Sequence, residues 1–275
     1  MAVPSAAKVR AALIAEPGKS FKLADRDPGA RPVFEDKDEA RSSLEADAVE
    51  IDELQNCLYA EGKRAVLVVL QGIDTSGKSS TIRAVFSRTG PLGVNVTSFG
   101  KPSEVEREHD YLWRIHRATP RKGCIGVFDR SHYEDVLVVR VRGLAPKEAI
   151  EQRYDQINAF ESHLVENGVI VLKFFLHISH EEQAERLKAR LEDPHKRWKF
   201  NPADLDDRAL WDQYAGAYEL AIARCSTEAA PWFVVPSNSK TRRKAMVARI
   251  VRGALEEMNP QMPDPGYRRA DYPIE

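Results

Sequence analysis

The residues with the clearest chemical pattern lie in one short segment, Gly72–Ser79, which reads GIDTSGKS. It matches the Walker A pattern G-x-x-x-x-G-K-[ST] at every fixed position. In such loops the backbone N–H groups converge on a phosphate at a helix N-terminus, and the lysine adds a positive charge. We therefore predict that Gly72, Gly77, Lys78 and Ser79 bind phosphate. The plainer alternative is a glycine-rich turn with an exposed lysine.

Asp74 places a negative charge inside this predicted phosphate loop. A carboxylate beside a phosphate repels it unless a cation lies between them. Since Mg²⁺ binds carboxylate and phosphate oxygens, Asp74 is predicted to be a magnesium ligand. The alternative is an aspartate that only binds neighbouring backbone N–H groups in a turn.

A second acidic residue, Asp129, directly follows the apolar run Cys124–Phe128. An acid at the carboxyl end of a neighbouring strand is typical of the Walker B aspartate, so Asp129 is the second predicted magnesium ligand. On its own, an aspartate after a strand is usually a cap or turn residue. Arg130 follows at once and is predicted to stabilise the phosphoryl group during transfer.

Two basic segments lie further along the chain. Arg140 and Arg142 precede Gly143, and this pattern predicts a mobile lid over about residues 130–150, with a solvated loop as the alternative. The second segment has six basic residues on a chain of 41 basic and 42 acidic residues: Lys188, Arg190, His195, Lys196, Arg197 and Lys199. That density favours a polyanion site over a solvated helix face. Nucleic acid is the competing polyanion, because Trp198 can stack on a base.

The elements that must position these residues are indicated by apolar runs. Five runs predict buried parallel strands, namely Ala65–Leu70, Val94–Phe99, Cys124–Phe128, Val169–Leu176 and Trp232–Val235. Segments with helical periodicity separate them. Ser103 with Glu106, and Ser179 with Glu182, have the capping-box spacing that begins a helix. The alternation predicts an α/β fold, a doubly wound sheet of about five parallel strands.

The domain organisation is predicted to be simple. Residues 1–45 are polar and lack periodicity, so we expect an extended arm; residues 46–258 form the phosphate-loop domain, and residues 259–275 form an extended, proline-rich tail. A helix over about residues 40–60 is expected to end at Gly62. Three scattered cysteines and the lack of a long apolar segment predict a cytoplasmic protein without a disulfide framework or a membrane partner.

With these motifs in place, the chain resembles the family-2 polyphosphate kinases over roughly residues 58–255. The matching strings, besides Gly72–Ser79, are Leu112–Arg114, Phe128–Val141, Lys173–Ser179, Arg190–Pro194, Lys196–Phe200 and Ala230–Trp232. The resemblance implies a thymidylate-kinase-like P-loop fold with helices on both faces and a lid. It also implies Mg²⁺ held by the two aspartates and no covalent enzyme intermediate. The string SHYEDV resembles the branch that phosphorylates both AMP and ADP.

The reaction that this resemblance implies is in-line transfer between inorganic polyphosphate and AMP, ADP or ATP. Lys78, Arg130 and Arg190 would bind the phosphates in transfer, and Arg114 would bind the acceptor phosphate. The path of the long chain would be lined by Arg83, Lys196, Arg197 and Lys199. Ser79 departs from the family's usual residue, and its hydroxyl is a further candidate for the metal. A homo-oligomer is expected, and nucleic acid is not expected as a partner.

Three other functions share the phosphate loop. An ATP-dependent nucleoside or nucleoside-monophosphate kinase differs in using ATP as the phosphoryl donor. The sequence pattern hardly distinguishes such a kinase from a polyphosphate-dependent one. A GTP-binding switch needs Asn-Lys-x-Asp after a late strand, whereas this chain has Asn238-Ser239-Lys240-Thr241. A nucleic-acid-binding P-loop protein would show salt-sensitive binding to single strands.

Overall fold

A single sheet of six strands forms the centre of the molecule. The computed structural model describes residues 4–272 and residue 274, and the sheet has the strand order β1-β6-β5-β2-β4-β3. The strands are β1 Ile14–Ala15, β2 Ala65–Gln71, β3 Val94–Ser98, β4 Ile125–Asp129, β5 Val169–His177 and β6 Trp232–Pro236. All neighbouring pairs are parallel except β1 with β6. The predicted α/β fold with five parallel strands is confirmed.

The central strand β2 shows why the aliphatic runs are strands. Residues Val66 and Val68 pack into the core on one face of the sheet, and Leu67 and Val69 pack into the core on the other. Because both faces are covered by helices, every residue of β2 is buried, and its first six residues, Ala65–Leu70, are all aliphatic.

Eleven helices are found in the described residues. They are α1 Ala6–Leu13, α2 Lys37–Glu61, α3 Lys78–Val85, α4 Glu104–Arg107, α5 Trp113–Ala118, α6 Val138–Val141, α7 Lys147–Glu166, α8 His180–Glu192, α9 Ala203–Ala209, α10 Trp211–Cys225 and α11 Lys240–Met258. Helices α1, α2, α3 and α11 contribute to the core on one face. Helices α5, α7 and α10 contribute to the core on the other face, which completes the doubly wound arrangement.

The N-terminal segment differs from the predicted extended arm, because it contains α1 and the edge strand β1. The Ser5 side chain accepts a hydrogen bond from the Lys8 N–H at 3.3 Å and caps α1. Val9 and Leu13 are buried in the core with α11. Two of the eight residues of α1 are buried, which is too few to produce a recognisable helical periodicity in the sequence.

Most predicted helix boundaries agree with the structure. Helix α2 ends at Gly62, which adopts a left-handed conformation with φ of 63° that a residue without a Cβ adopts readily. Ser103 and Glu106 form a capping box at α4, but that helix has only four residues. Ser179 caps α8. In the described residues, no helix is both long enough and apolar enough to cross a membrane.

The segment predicted as a lid, about residues 130–150, is largely part of the core. Tyr133, Val136 and Leu137 are at most 1% exposed, since their side chains pack beneath α7 and α10. The exposed residues of the segment are Arg142 to Leu144 and Pro146 to Glu148. Opening of residues 131–141 would expose core side chains, so their burial argues against a lid in that part, and the lid stays a prediction for the exposed turn.

Candidate active site

The phosphate loop lies between β2 and α3, in the context that the motif requires. Gly77 precedes α3 with φ of 103°, a conformation that L side chains rarely adopt. The Lys78 ammonium folds back over the loop and donates to the Gly72 carbonyl at 2.6 Å. Burial and the nearby Arg130 charge lower the pKa of Lys78. The loop therefore holds a buried cation at the N-terminus of α3, where an anion is favoured.

Asp129 reaches this loop from the neighbouring strand. It is the last residue of β4 and pairs in register with Leu70, two residues before the loop begins. The Ser79 hydroxyl donates to the Asp129 carboxylate at 2.8 Å. The predicted Walker B position and the last residue of the Walker A motif are therefore in direct contact.

Asp74 and Arg130 form an ion pair across the same edge of the sheet. Arg130 has φ of 66°, and its N–H donates to the Leu70 carbonyl at 3.1 Å. The guanidinium also lies 3.6 Å from the Glu134 carboxylate. Burial opposes the charged form of Arg130, but Asp74 and Glu134 outweigh it and raise the pKa. The arginine is thus a fixed positive charge beside the loop.

The donors in this cluster fit a hard divalent cation. Asp74, Asp129 and Ser79 offer carboxylate and hydroxyl oxygens, the ligand type that Mg²⁺ prefers. Within residues 4–272 there is no group of three or more His, Cys, Asp or Glu side chains able to hold a metal by themselves. Since Mg²⁺ usually binds one or two carboxylates together with phosphate and water, two acids are sufficient.

A narrow cleft beside the loop contains residues that the sequence did not reveal. It is lined by Gly72, Ile73, Asp74, Arg130, Glu134, Leu137, Val138, Asp207, Tyr214 and Tyr218. Burial raises the pKa of the Glu134 carboxyl. Glu134 lies inside a string that matches the resembled family, which was the available signal. Tyr214 and Tyr218 lie one turn apart on α10, and nothing in their spacing distinguishes them from core residues.

Three further buried side chains hold the outside of the loop, and they too were missed. Gln183, Arg186 and Arg243 donate to backbone carbonyls of Asp74, Thr75 and Ser76. Basic residues on amphipathic helices are usually exposed, so nothing in the sequence pattern distinguishes Arg186 or Arg243 from surface residues.

Arg190 contacts a carboxylate of α9 and the Lys199 carbonyl, and no contact with the phosphate loop is found among the described residues. Its guanidinium lies 3.3 Å from the Asp204 carboxylate of α9. Burial and the charge of Asp74 raise the pKa of Asp204 to about 6, while Arg190 opposes that rise. Asp204 is therefore close enough to the loop for the charge of Asp74 to act on it.

The other predicted phosphate ligands lie on the surface, outside the cluster around the phosphate loop. Lys196, Arg197 and Lys199 are exposed around a short 3₁₀ turn after α8. Lys196 pairs with Asp193 at 2.6 Å. Arg83 is exposed on α3. The structure therefore brings together the loop, Asp74, Asp129 and Arg130, and it leaves these four cations on the surface.

Arg114 lies at the same edge of the sheet but outside the central cluster. It is buried on α5 and donates to the Gly100 carbonyl at 2.9 Å, just after β3. The Glu106 carboxylate lies 3.8 Å from it. A cation at this edge is suited to an anion that approaches from the β3 side, because carboxyl ends of parallel strands face one crevice.

The doubly wound sheet, the Walker A loop and the acid at the end of β4 define a P-loop phosphotransferase. The family model described as Polyphosphate kinase 2 (PPK2) matches residues 34–263. The chain belongs to this family, and it is an enzyme.

Curated relatives and a solved structure agree with that assignment. An AMP/ADP-polyphosphate phosphotransferase of Meiothermus ruber is 50% identical over 253 residues, covering 91% of this chain and 94% of the relative. An ADP-polyphosphate phosphotransferase of Rhodopseudomonas palustris is 39% identical over 245 residues, 85% of each chain. The crystal structure of polyphosphate kinase 2 from Arthrobacter aurescens TC1 superposes with a TM-score of 0.92 at 40% identity. It covers 98% of this chain and 95% of that one.

Proposed function

We propose that this enzyme transfers a phosphoryl group between inorganic polyphosphate and an adenine nucleotide, with AMP and ADP as acceptors and ATP as the longest product. The observation that carries the proposal is the contact cluster of Asp74, Lys78, Asp129 and Arg130 on the phosphate loop. The names of the two relatives above support polyphosphate as the donor and AMP and ADP as acceptors.

The proposed step is an in-line displacement. An oxygen of the nucleotide's terminal phosphate attacks the terminal phosphorus of polyphosphate, and the bond from that phosphorus to the bridging oxygen breaks. The nucleotide gains one phosphate and the polyphosphate loses one. Lys78 and Arg130 neutralise the charge of the group in transfer, and catalysis consists mainly of this neutralisation and of positioning.

Magnesium is the proposed cofactor, held by Asp74 and Asp129 with Ser79 at the edge of its shell. When bound, Mg²⁺ would neutralise phosphate charge and orient the reacting groups. The residues themselves must first release their present partners, since Asp74 pairs with Arg130 and Asp129 accepts from Ser79.

We propose that the exposed cations after α8 guide the rest of the polyphosphate chain. Lys196, Arg197 and Lys199 carry no reacting atom, but a long polyanion gains affinity from each cation along its path. Arg190 would join them by leaving Asp204, and Arg83 would extend the path over α3. Arg114 would bind the phosphate of the acceptor nucleotide.

The remaining proposals concern assembly and location. We propose a homo-oligomer in the cytoplasm that does not use nucleic acid as a partner. The near-neutral balance of 41 basic and 42 acidic residues supports the last point, because general nucleic-acid binding draws on a net positive surface.

A donor assay tests the central proposal. The purified enzyme with Mg²⁺ is supplied with polyphosphate and AMP, ADP or GDP, and the product one phosphate longer is measured. A parallel reaction supplies ATP in place of polyphosphate. Product from polyphosphate and loss of that product in Lys78→Ala support the proposal. Product from ATP and AMP alone would instead indicate a nucleoside-monophosphate kinase, which the names of the relatives do not favour.

A further inference from the structure

Two buried arginines meet on one carbonyl of the phosphate loop. The Ser76 carbonyl accepts from Arg186 at 3.1 Å and from Arg243 at 2.8 Å. Arg186 comes from α8 and Arg243 from α11, so the loop is fixed from two separate helices. In a phosphate loop the carbonyls must face outward for the N–H groups to converge on the anion.

Arg186 contacts two consecutive loop carbonyls and links them to the segment after β6. Its guanidinium also donates to the Thr75 carbonyl at 3.0 Å, and to Ser237 and Asn238 carbonyls after β6 at 2.6 and 3.2 Å. Thr75 has φ of 69°, an unfavourable backbone conformation for a β-branched residue. A conformation of this kind persists only when its surroundings enforce it, and Arg186 is the neighbour that does so.

Arg243 places a positive charge directly behind the loop. It is 1% exposed and also contacts the side chains of Thr81 and Ser80 on α3. A Cβ at Gly77 would lie 2.5 Å from its guanidinium, so the arginine packs against the loop glycine itself. Among the described residues no carboxylate lies within ion-pair distance of Arg243. An uncompensated buried charge is unfavourable unless an anion lies nearby.

We propose that Arg186 and Arg243 are positioning residues of the polyphosphate site. Both hold the loop carbonyls outward, and Arg243 also provides buried positive charge behind the bound phosphate, whereas the charge of Arg186 is paired with the Glu182 carboxylate at 2.8 Å. Neither guanidinium needs to touch the substrate, because each acts through the backbone of Thr75 and Ser76. The inference rests on the proposed function for the identity of the anion.

Helix α8 also connects the phosphate loop to Arg190. Gln183, Arg186 and Arg190 lie at helical spacing on one face of α8, and Gln183 donates to the Asp74 carbonyl at 3.3 Å. The helix that carries Arg190 is therefore attached to the loop through three consecutive carbonyls. Arg186 fixes where Arg190 stands relative to a phosphate in the loop.

The test measures the binding of tripolyphosphate with Mg²⁺ by calorimetry, and the melting temperature with and without it. The variants are Arg186→Met, Arg243→Met and Arg186→Lys, which keeps the charge but not the forked set of donors. Arg242→Met is the matched control. Arg242 is 5% exposed, neighbours Arg243 on α11, and donates to the Phe34 carbonyl at 2.7 Å, away from the loop.

We expect Arg186→Met and Arg243→Met to weaken tripolyphosphate binding about tenfold or more, equivalent to ~1.4 kcal/mol. Arg186→Lys should fall between these and the parent. Arg242→Met should lower the melting temperature and keep the parent's affinity. The rise in melting temperature that tripolyphosphate causes should shrink in Arg186→Met and Arg243→Met, and should not shrink in Arg242→Met.

Parent-like affinity in Arg186→Met and Arg243→Met would overturn the proposal, and so would an equal loss of affinity in Arg242→Met. If Arg186→Met does not fold, Arg186→Lys decides, because parent-like affinity there would show that the forked contacts are dispensable. Failure of the proposed function is separate: the parent would then bind tripolyphosphate but form no longer nucleotide from polyphosphate.

Discussion

The carboxylate of Asp74 and the guanidinium of Arg130 are ion-paired, although 56 residues separate them in the chain. One is the proposed metal ligand and the other the proposed ligand of the phosphoryl group. The two charges therefore neutralise each other. If magnesium took the Asp74 carboxylate, Arg130 would keep the Glu134 carboxylate at 3.6 Å and could turn its remaining donors to the phosphoryl group.

The competition between Arg130 and Mg²⁺ for Asp74 gives the first prediction. Arg130→Gln should lower turnover about a hundredfold or more, as expected for losing an arginine that stabilises the phosphoryl group. The same change should lower the Mg²⁺ concentration needed for half-maximal activity, because Asp74 loses its competitor. Magnesium titration of the residual activity measures both. Arg140→Gln, which breaks a surface pair with Glu151, is the control. A higher magnesium requirement in Arg130→Gln would contradict the prediction.

The two aspartates give the second prediction. Asp74→Asn and Asp129→Asn should each abolish measurable turnover while the protein melts close to the parent, because each removes a charge that the phosphates and Mg²⁺ need. Turnover at saturating magnesium and circular dichroism provide the measurements. Asp155→Asn, at a side chain that is 81% exposed, should behave as the parent. Near-parental activity in either site variant would mean that its carboxylate is not a ligand.

Lys78 gives the third prediction. Lys78→Ala should reduce turnover by about a hundredfold or more, because a buried charge at the transferring group is lost. Lys188→Ala removes an exposed lysine paired with Glu185 and should have little effect. Steady-state kinetics with polyphosphate and ADP compare the two. If Lys78→Ala changed only the melting temperature, the lysine would have a structural role alone.

The exposed cations give the fourth prediction, which separates polyphosphate from short donors. Lys196→Ala and Lys199→Ala should raise the apparent Michaelis constant for long polyphosphates more than for short ones, which cannot reach these residues. The difference should be larger at low salt, since exposed charges are screened over ~10 Å at 0.1 M. Polyphosphates of graded length serve as donors. The control is Lys122→Ala, at an exposed lysine before β4 and therefore at the opposite edge of the sheet from the phosphate loop. A change that is independent of chain length would exclude a guiding role.

The fifth prediction concerns Asp204 and pH. Burial and the charge of Asp74 raise the pKa of Asp204 from 3.8 to about 6. Protonation of Asp204 therefore contributes to the free energy of unfolding. This contribution is fully present below about pH 4 and is lost as the pH rises through about 6. Asp204→Asn removes this titration and should gain stability relative to the parent from pH 4 to pH 7, by up to ~3 kcal/mol.

Denaturant unfolding across that pH range, in metal-free buffer, tests the Asp204 prediction. Asp206→Asn, on the same short helix, is the control and should show no such trend. A stability difference that stays constant with pH, or that falls as the pH rises, would contradict the raised pKa.

The sequence predicted the central strands well because burial on both faces requires an unbroken apolar run. Strand β3 was also predicted to be buried, but it lies at the edge of the sheet and none of its five residues is buried. The run from Ala65 to Leu70 has no polar residue, and its strand is only one residue longer than predicted. The edge strand Ile14–Ala15 was missed because two residues cannot show a period. The burial of Val136 and Leu137 within the predicted lid was not anticipated, because Arg140 and Gly143 form a pattern that is typical of a mobile loop.

Site residues can be predicted from the sequence where the chemistry requires a motif. They cannot be predicted where their role depends on how helices pack. Lys78 and Asp129 stand at positions that a phosphate loop and its neighbouring strand dictate. Arg186 and Lys188, by contrast, differ by two positions on one basic helix. One is 7% exposed and binds the loop, and the other is exposed. That difference depends on how α8 packs against the loop, which local sequence does not encode.

The pairing of Ile14 with Phe233 has a consequence for how the molecule is made. A ribosome adds roughly 5–20 residues per second, so the N-terminal strand waits on the order of ten seconds or more for its partner. During that interval β1 has no strand to join, and the apolar side of α1 lacks the C-terminal helix that covers it. The first residues synthesised are therefore among the last to reach their native contacts, and a chaperone acting on the nascent chain has that interval to bind them.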